Sequence, residues 1–256
     1  MKQLINSIPV FSGNLNDAVE HLLERLSDNT LSSCFTVSCT GAHGIVEAKE
    51  NADFCEVLRA FYLNLPDGMP LVWLAKLKGF STAGRCYGPD LFASMLQRTA
   101  SLDCSHFFCG GKPGIADELA QNAIRNWKGV QVAGTYCPPF RVLSDLELHR
   151  LADQINASAA SVVWIGLSTP KQEVFAARLA PLLQSKLIIT IGAAFDFYTG
   201  RVKQAPQWMQ KNGLEWFYRL TQEPRRLAPR YLKIVPKFAV MAIGDLLANR
   251  SKKSYL

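Results

Sequence analysis

The chain has 256 residues, 48% of them hydrophobic and 19% charged. A chain of this length buries roughly 70–75% of the surface it exposes when unfolded, which excludes a disordered polymer, a collagen-like repeat and a small disulfide scaffold. The net charge of +7 is uneven: residues 201–256 carry 12 Lys and Arg against three acids (Glu215, Glu223 and Asp245), a net of +9, and the first 200 residues a net of −2. A basic tail of this kind suits an anionic partner: membrane lipid, nucleic acid or a phosphorylated substrate.

In chain order, residues 1–7 lack the long apolar core and small-residue cleavage site of a signal peptide. Short apolar runs at 34–40, 61–65, 105–109, 130–134, 161–166 and 187–192 read as strands. Helical patterns fall between them at 43–59, 70–79, 89–101, 113–127, 144–157 and 170–184. The strand runs are apolar throughout rather than alternating, as expected when helices cover both faces of a sheet. Strand–helix alternation then predicts an α/β fold with a doubly wound, mainly parallel, Rossmann-like sheet. Two domains are expected, the sheet domain over 1–200 and a basic helical appendage over 201–256. Within the appendage, Pro236 interrupts an apolar stretch, and the run 238–244 is too short to span a bilayer. Such a segment lies in the headgroup plane with a basic flank, or it packs on its own domain or on another subunit.

Ligands of open parallel sheets bind beyond the carboxyl ends of the strands, and four such ends carry unusual residues. Pro66-Asp67-Gly68 follows the second strand; Asp67 there is either a general base or a cap for the next helix. Gly110-Gly111-Lys112-Pro113 precedes a helix, whose N-terminal N–H groups suit an anion, or it is simply a tight turn. It has neither the Walker spacing nor Gly-x-Gly-x-x-Gly. In Ser168-Thr169-Pro170-Lys171-Gln172-Glu173, Thr169 can cap the helix with Pro170 at its first position, while Lys171 and Gln172 would project at the ligand edge. The fourth end, Gly192-Ala193-Ala194-Phe195-Asp196, hands the chain to the tail, and Asp196 there could cap, bind or orient.

Metal and nucleophile signals are weak. The four histidines make no ligand-spaced cluster, Asp-x-Asp and Gly-x-Ser-x-Gly are absent, and Asp145-Leu146-Glu147 reads as a helix start. Seven scattered cysteines without a C-x-x-C pair suggest a reducing cytoplasm rather than a zinc ribbon.

Taken in order, Asn51-Ala52-Asp53-Phe54, Pro66-Asp67-Gly68, Arg85-x-x-Gly88-x-Asp90, Gly110-Gly111-Lys112-Pro113, Pro170-Lys171-Gln172-Glu173, Gly192-x-x-Phe195-Asp196-x-x-x-Gly200, Ala205-Pro206 and Leu214-Glu215-Trp216-x-Tyr218-Arg219-Leu220 resemble the WecG/TagA/CpsF family of bacterial glycosyltransferases. The resemblance covers about residues 10–231. It implies an inverting, metal-independent transfer, without a cofactor, of N-acetylmannosamine, its uronate or glucose. The donor would be a UDP-sugar and the acceptor a polyprenyl-diphosphate-linked sugar, in surface polysaccharide synthesis. Asp67 matches the proposed base of the family. Gly110, Gly111, Lys112, Lys171, Gln172 and Asp196 are the expected donor contacts, and Arg219 and Arg226 the expected diphosphate contacts once the tail closes. Where relatives often carry Thr-x-Asn, this chain has Cys39 and Gly41, followed by Ala42 and His43, so His43 is expected to substitute in donor or acceptor binding. The partners implied are the inner face of the cell membrane and no nucleic acid; off the membrane, an apolar tail would seek a protein surface, including that of a second copy. Two rival classes stand beside this one. A different nucleotide-binding Rossmann-like enzyme is disfavoured by the missing glycine fingerprint. A non-catalytic basic membrane binder leaves Asp67 unexplained.

Overall fold

A computed structural model describes residues 2–28, 30 and 33–253, with side chains as far as Asn249; the last three residues of the expected appendage lie outside it. All six expected strands form, as β3 (Phe35–Thr40), β4 (Leu63–Pro66), β5 (Ser105–Gly110), β6 (Gln131–Tyr136), β7 (Val162–Gly166) and β8 (Leu187–Thr190). They build one parallel sheet in the order β4-β3-β8-β7-β5-β6. The fold is a Rossmann-like α/β sandwich.

The apolar strands alternate between two cores. Phe108, Val162, Trp164, Leu187 and Ile189 face one core, which α1 (Leu15–Ser27), α5 (Gly88–Thr99) and α6 (Ile115–Asn126) complete. Phe107, Val163, Ile165 and Ile188 face the other, under α7 (Asp145–Ala157) and α8 (Lys171–Leu179). Period-2 alternation with both faces covered is why these strands read as unbroken apolar runs.

Several elements depart from expectation. An antiparallel hairpin, β1 (Lys2–Ile5) and β2 (Ile8–Phe11), and α1 precede the sheet and were not anticipated. The hairpin lies beside the outer strand β4, where the Asn64 side chain donates to the Pro9 carbonyl at 3.0 Å. The helix expected over 43–59 is two, α2 (Ala42–Glu50) and α3 (Ala52–Ala60), because Asn51 ends one and its Oδ1 accepts the Phe54 N–H of the other. Helix α4 (Met69–Leu77) follows β4.

The tail forms α9 (Ala194–Tyr198), α10 (Gln207–Lys211), α11 (Glu215–Gln222) and α12 (Pro224–Lys253). Pro236 does not break α12. It lies on the exposed side, where water can satisfy the carbonyl it leaves unbonded, while Ile234 and Phe238 anchor the inner side in a third core with Ile45, Phe54, Leu71 and Leu74. Opposite charges add to that packing. Lys78 pairs with Asp245 at 2.8 Å, and Glu50 receives both Lys233 and Lys237. The tail therefore packs on its own domain along one face.

A buried relay fixes the centre of the sheet. The Trp164 indole N–H donates to His106 Nδ1 at 3.0 Å, and His106 Nε2 meets Thr99 Oγ1 at 2.9 Å. The imidazole is thus neutral with its proton on Nε2, and burial pushes it down to about 4. A second proton would set an Nδ1–H against the indole N–H. Because the unfolded chain protonates near 6.5, this side chain contributes stability above that pH that is lost on acidification towards 4. We predict a decline of about 3 kcal/mol from this source, read in urea melts between pH 7 and 4. The decline should flatten in His106→Leu.

Candidate active site at the carboxyl edge of the sheet

Strand β5 leads outward to β6 and β7 leads the other way to β8, so the chain reverses direction between them. That is the topological position at which open α/β sheets bind ligands. Two glycines pinch the strands together there. A Cβ on Gly110 would lie 2.5 Å from the Gly166 carbonyl oxygen, and one on Gly166 would lie 2.4 Å from the Phe195 ring. Gly111 turns with a positive φ of 74° and donates to the Gly166 carbonyl at 3.0 Å, ahead of the α6 N-terminus. Lys112 is exposed on this turn. Lys171 is exposed at the start of α8, its Nζ 4.6 Å from the ring centre of Phe140.

Gln172 does not project at this edge as expected. It is buried, and its amide oxygen accepts the Gly192 N–H at 3.0 Å while its nitrogen donates to Glu173 at 2.9 Å. The cap of α8 also differs, since Pro170 precedes the helix and the Thr169 hydroxyl donates to Glu173. Glu173, read in the sequence only as part of the Pro170–Glu173 motif and as a capping-box candidate, gathers Ser38, Thr169 and Gln172 on one carboxylate oxygen, and burial raises its pKa. This buried cluster shapes the turn that leads to Asp196.

Asp67 follows β4, its N–H bonded to the Thr40 carbonyl at 3.1 Å. It does not cap α4, whose N-cap is Gly68. Its carboxylate instead accepts the Gly88 N–H, the first of α5, at 2.7 Å, and its carbonyl accepts Arg85 Nε at 2.7 Å. Burial raises the carboxyl to about 6; Arg85, the Gly88 N–H and Arg219 oppose the rise, and Glu215 adds to it.

The tail brings its residues to the same edge. The Asp196 carbonyl accepts N–H groups of Arg201 and Val202, and burial raises its carboxyl against the pull of Arg226, Arg219 and Arg201. Arg219 lies 5.6 Å from the Phe197 ring centre, with its Nε buried and unpartnered. Arg226 pairs with Glu223 and remains half exposed. His43, in the first turn of α2, sits 3.3 Å from Glu47, and burial and the nearby Arg230 lower its pKa. Asp67, Asp196, Arg219 and Arg226 thus form one electrostatic neighbourhood, and His43 lies against the tail helix beside it.

Comparison with known proteins decides the family. The model of the glycosyl transferase WecG/TagA/CpsF family matches residues 3–252. The chain belongs to this family of glycosyltransferases. A protein of Bacillus spizizenii, named N-acetylglucosaminyldiphosphoundecaprenol N-acetyl-beta-D-mannosaminyltransferase, is 29% identical over 239 residues, covering 93% of this chain and 90% of its own. A Bacillus subtilis protein of the same name is 26% identical over 253 residues, covering 99% and 94%. In this glycosyltransferase, sequence reasoning quoted Arg85 and Glu215 within motifs but left them out of the site. The available signal was the scarcity of acids in the tail. Of its three, Glu215 and Asp245 each pair with a base on the body.

Proposed function

We propose that this glycosyltransferase moves an N-acetylmannosamine-type sugar from a UDP-sugar to a polyprenyl-diphosphate-linked sugar, with inversion and without a metal. The observation that carries the reading is Asp67, a carboxylate raised to about 6 at the carboxyl edge of the sheet, with Arg219 of the tail near it and Arg226 near Asp196. The names of both Bacillus relatives support the substrate class. In the proposed reaction the acceptor hydroxyl attacks the anomeric carbon from the face opposite UDP. Asp67 takes the hydroxyl proton, the bond to UDP breaks, and the configuration inverts. Arg219, whose Nε–H has no partner, and Arg226 hold the departing diphosphate, as preorganised cations do for developing negative charge. The Gly110–Gly111 turn at the α6 N-terminus is the second anion-binding element, with Lys112, Lys171 and Asp196 as further donor contacts. Gln172 serves by holding the Gly192 turn, and His43 lies on the acceptor side against the tail. Among the described residues no group of three or more His, Cys, Asp or Glu could hold a metal ion, and the cations at this edge suit the charge that develops on UDP.

The acceptor also accounts for the second face of the tail. Among the described residues no helix is long and apolar enough to cross a membrane. Yet α12 exposes Leu232, Val235, Val240, Ile243 and Leu247 opposite its packed face, and Trp208, Trp216 and Phe217 are exposed nearby in the chain. An apolar stripe flanked by Lys and Arg suits the headgroup boundary of an anionic membrane, here the inner face of the cell membrane.

Two outcomes test this reading. Asp67→Asn should lower kcat about 10²–10⁴-fold with UDP affinity nearly unchanged in calorimetry. In the wild type, a base must be ionised to act, so kcat/KM should fall as pH drops through about 6; full activity of the variant would remove Asp67 from the chemistry. Leu232→Ser with Ile243→Ser should abolish sedimentation with phosphatidylglycerol vesicles and leave the melting temperature unchanged. A switch from dimer to monomer in that variant, with vesicle binding intact, would assign the stripe to a second copy instead.

A further inference from the structure

Glu215 is an acid in a strongly basic tail, and it is 6% exposed. Both of its carboxylate oxygens are used: Oε2 accepts Arg85 Nη2 at 2.6 Å, and Oε1 accepts the Tyr87 hydroxyl. The Arg85 guanidinium stacks on the Tyr87 ring at 3.8 Å, and its Nε donates to the Asp67 carbonyl. The next residue after Tyr87, Gly88, supplies the N–H that holds the Asp67 carboxylate. Four consecutive residues therefore join Glu215 to Asp67 at both its backbone and its side chain. Arg219 stands one helical turn beyond Glu215 on the same helix.

We propose that Glu215 is the latch that docks α11 on the sheet domain and, through Arg85, Tyr87 and Gly88, positions Asp67, so that the base is set only when Arg219 is delivered. This deepens the transferase reading and rests on it. Glu215 is a positioning residue here, since it acts through Arg85. The charge balance gives the latch its logic. With α11 docked, Glu215 occupies Arg85 and the two charges offset one another beside Asp67. With α11 away, Arg85 keeps Asp67 and Asp90 as its acidic neighbours, and the base is drawn towards an ion pair. The groups facing Asp67 are Arg85 and Tyr87 ahead of α5, Cys86 beside them, Cys39 on β3, and Glu215 and Arg219 on α11. Losing the Glu215 charge removes a like charge from the surroundings of Asp67 and frees Arg85 for it, and both favour the carboxylate.

The test uses the full chain on anionic vesicles, comparing wild type, Glu215→Gln and Tyr87→Phe. Amide hydrogen exchange over 215–222 should quicken strongly in Glu215→Gln and less in Tyr87→Phe. The value of kcat/KM at pH 8 should fall on the order of 10–10²-fold in Glu215→Gln, and the acid limb of its pH profile should move below that of wild type. A merely structural role would lower activity without moving that limb. If Glu215→Gln fails to fold, Tyr87→Phe still carries the exchange readout, since it removes one bond to the carboxylate; because Arg85 stays paired, its acid limb should stay in place while exchange over 215–222 quickens. Exchange and pH profile that superimpose on wild type overturn the latch. Wild-type protein that turns over no UDP-sugar overturns the transferase reading instead, and the exchange measurement then decides the latch by itself.

Discussion

The Arg85 guanidinium reaches two places at once, the Asp67 carbonyl at the sheet edge and the Glu215 carboxylate on α11. Burying such a pair costs desolvation energy that its attraction only partly offsets, so its value lies in placement more than in stability. Without it, Asp67 would keep the Gly88 N–H but lose the fixed backbone contact, and α11 would lose its best-buried polar anchor. The rest of the site depends on that arrangement. Arg219 reaches the neighbourhood of Asp67 and Asp196 because the helix that carries it is held there.

The sheet was legible in the sequence for a simple reason. Strands such as β7 bury Val162 and Trp164 on one face and Val163 and Ile165 on the other, so apolar runs and strands coincide. The β1–β2 hairpin was not legible, since β1 buries polar Gln3 and exposes Leu4, the reverse of the pattern an apolar run signals. Helix α1 carried a signal that was passed over, Asn14 and Asp17 forming a reciprocal cap. The split at Asn51 also has a local cause, a side chain that caps the second helix, but an unbroken apolar period hides it. Asp67 stood out by position after a strand; its actual partner, the Gly88 N–H, lies 21 residues away and could not be read from spacing. Gln172 misled for the same reason, because a polar residue in a first turn reads as exposed unless its buried partners are known.

The tail helix presents two apolar faces. Leu227, Ile234 and Phe238 face the body, and Leu232, Val235, Ile243 and Leu247 face away. Lys233 and Lys237 lie between the two faces and meet Glu50. A soluble monomer gains nothing from the outer stripe, whereas an enzyme whose acceptor is lipid-linked gains a docking surface next to its site. On the proposed reading, the same segment would seat the enzyme on the membrane and, through α11, bring Arg219 to Asp67.

The most direct measurement is product analysis. Full-length protein on anionic vesicles would be given a polyprenyl-diphosphate N-acetylglucosamine and UDP-N-acetylmannosamine, with EDTA present, and the glycolipid examined by mass spectrometry. The account predicts a lipid heavier by one N-acetylhexosamine residue, with one UDP released for each transfer. Folded, vesicle-bound protein that yields no extended lipid from UDP-N-acetylmannosamine, its uronate or UDP-glucose would contradict it.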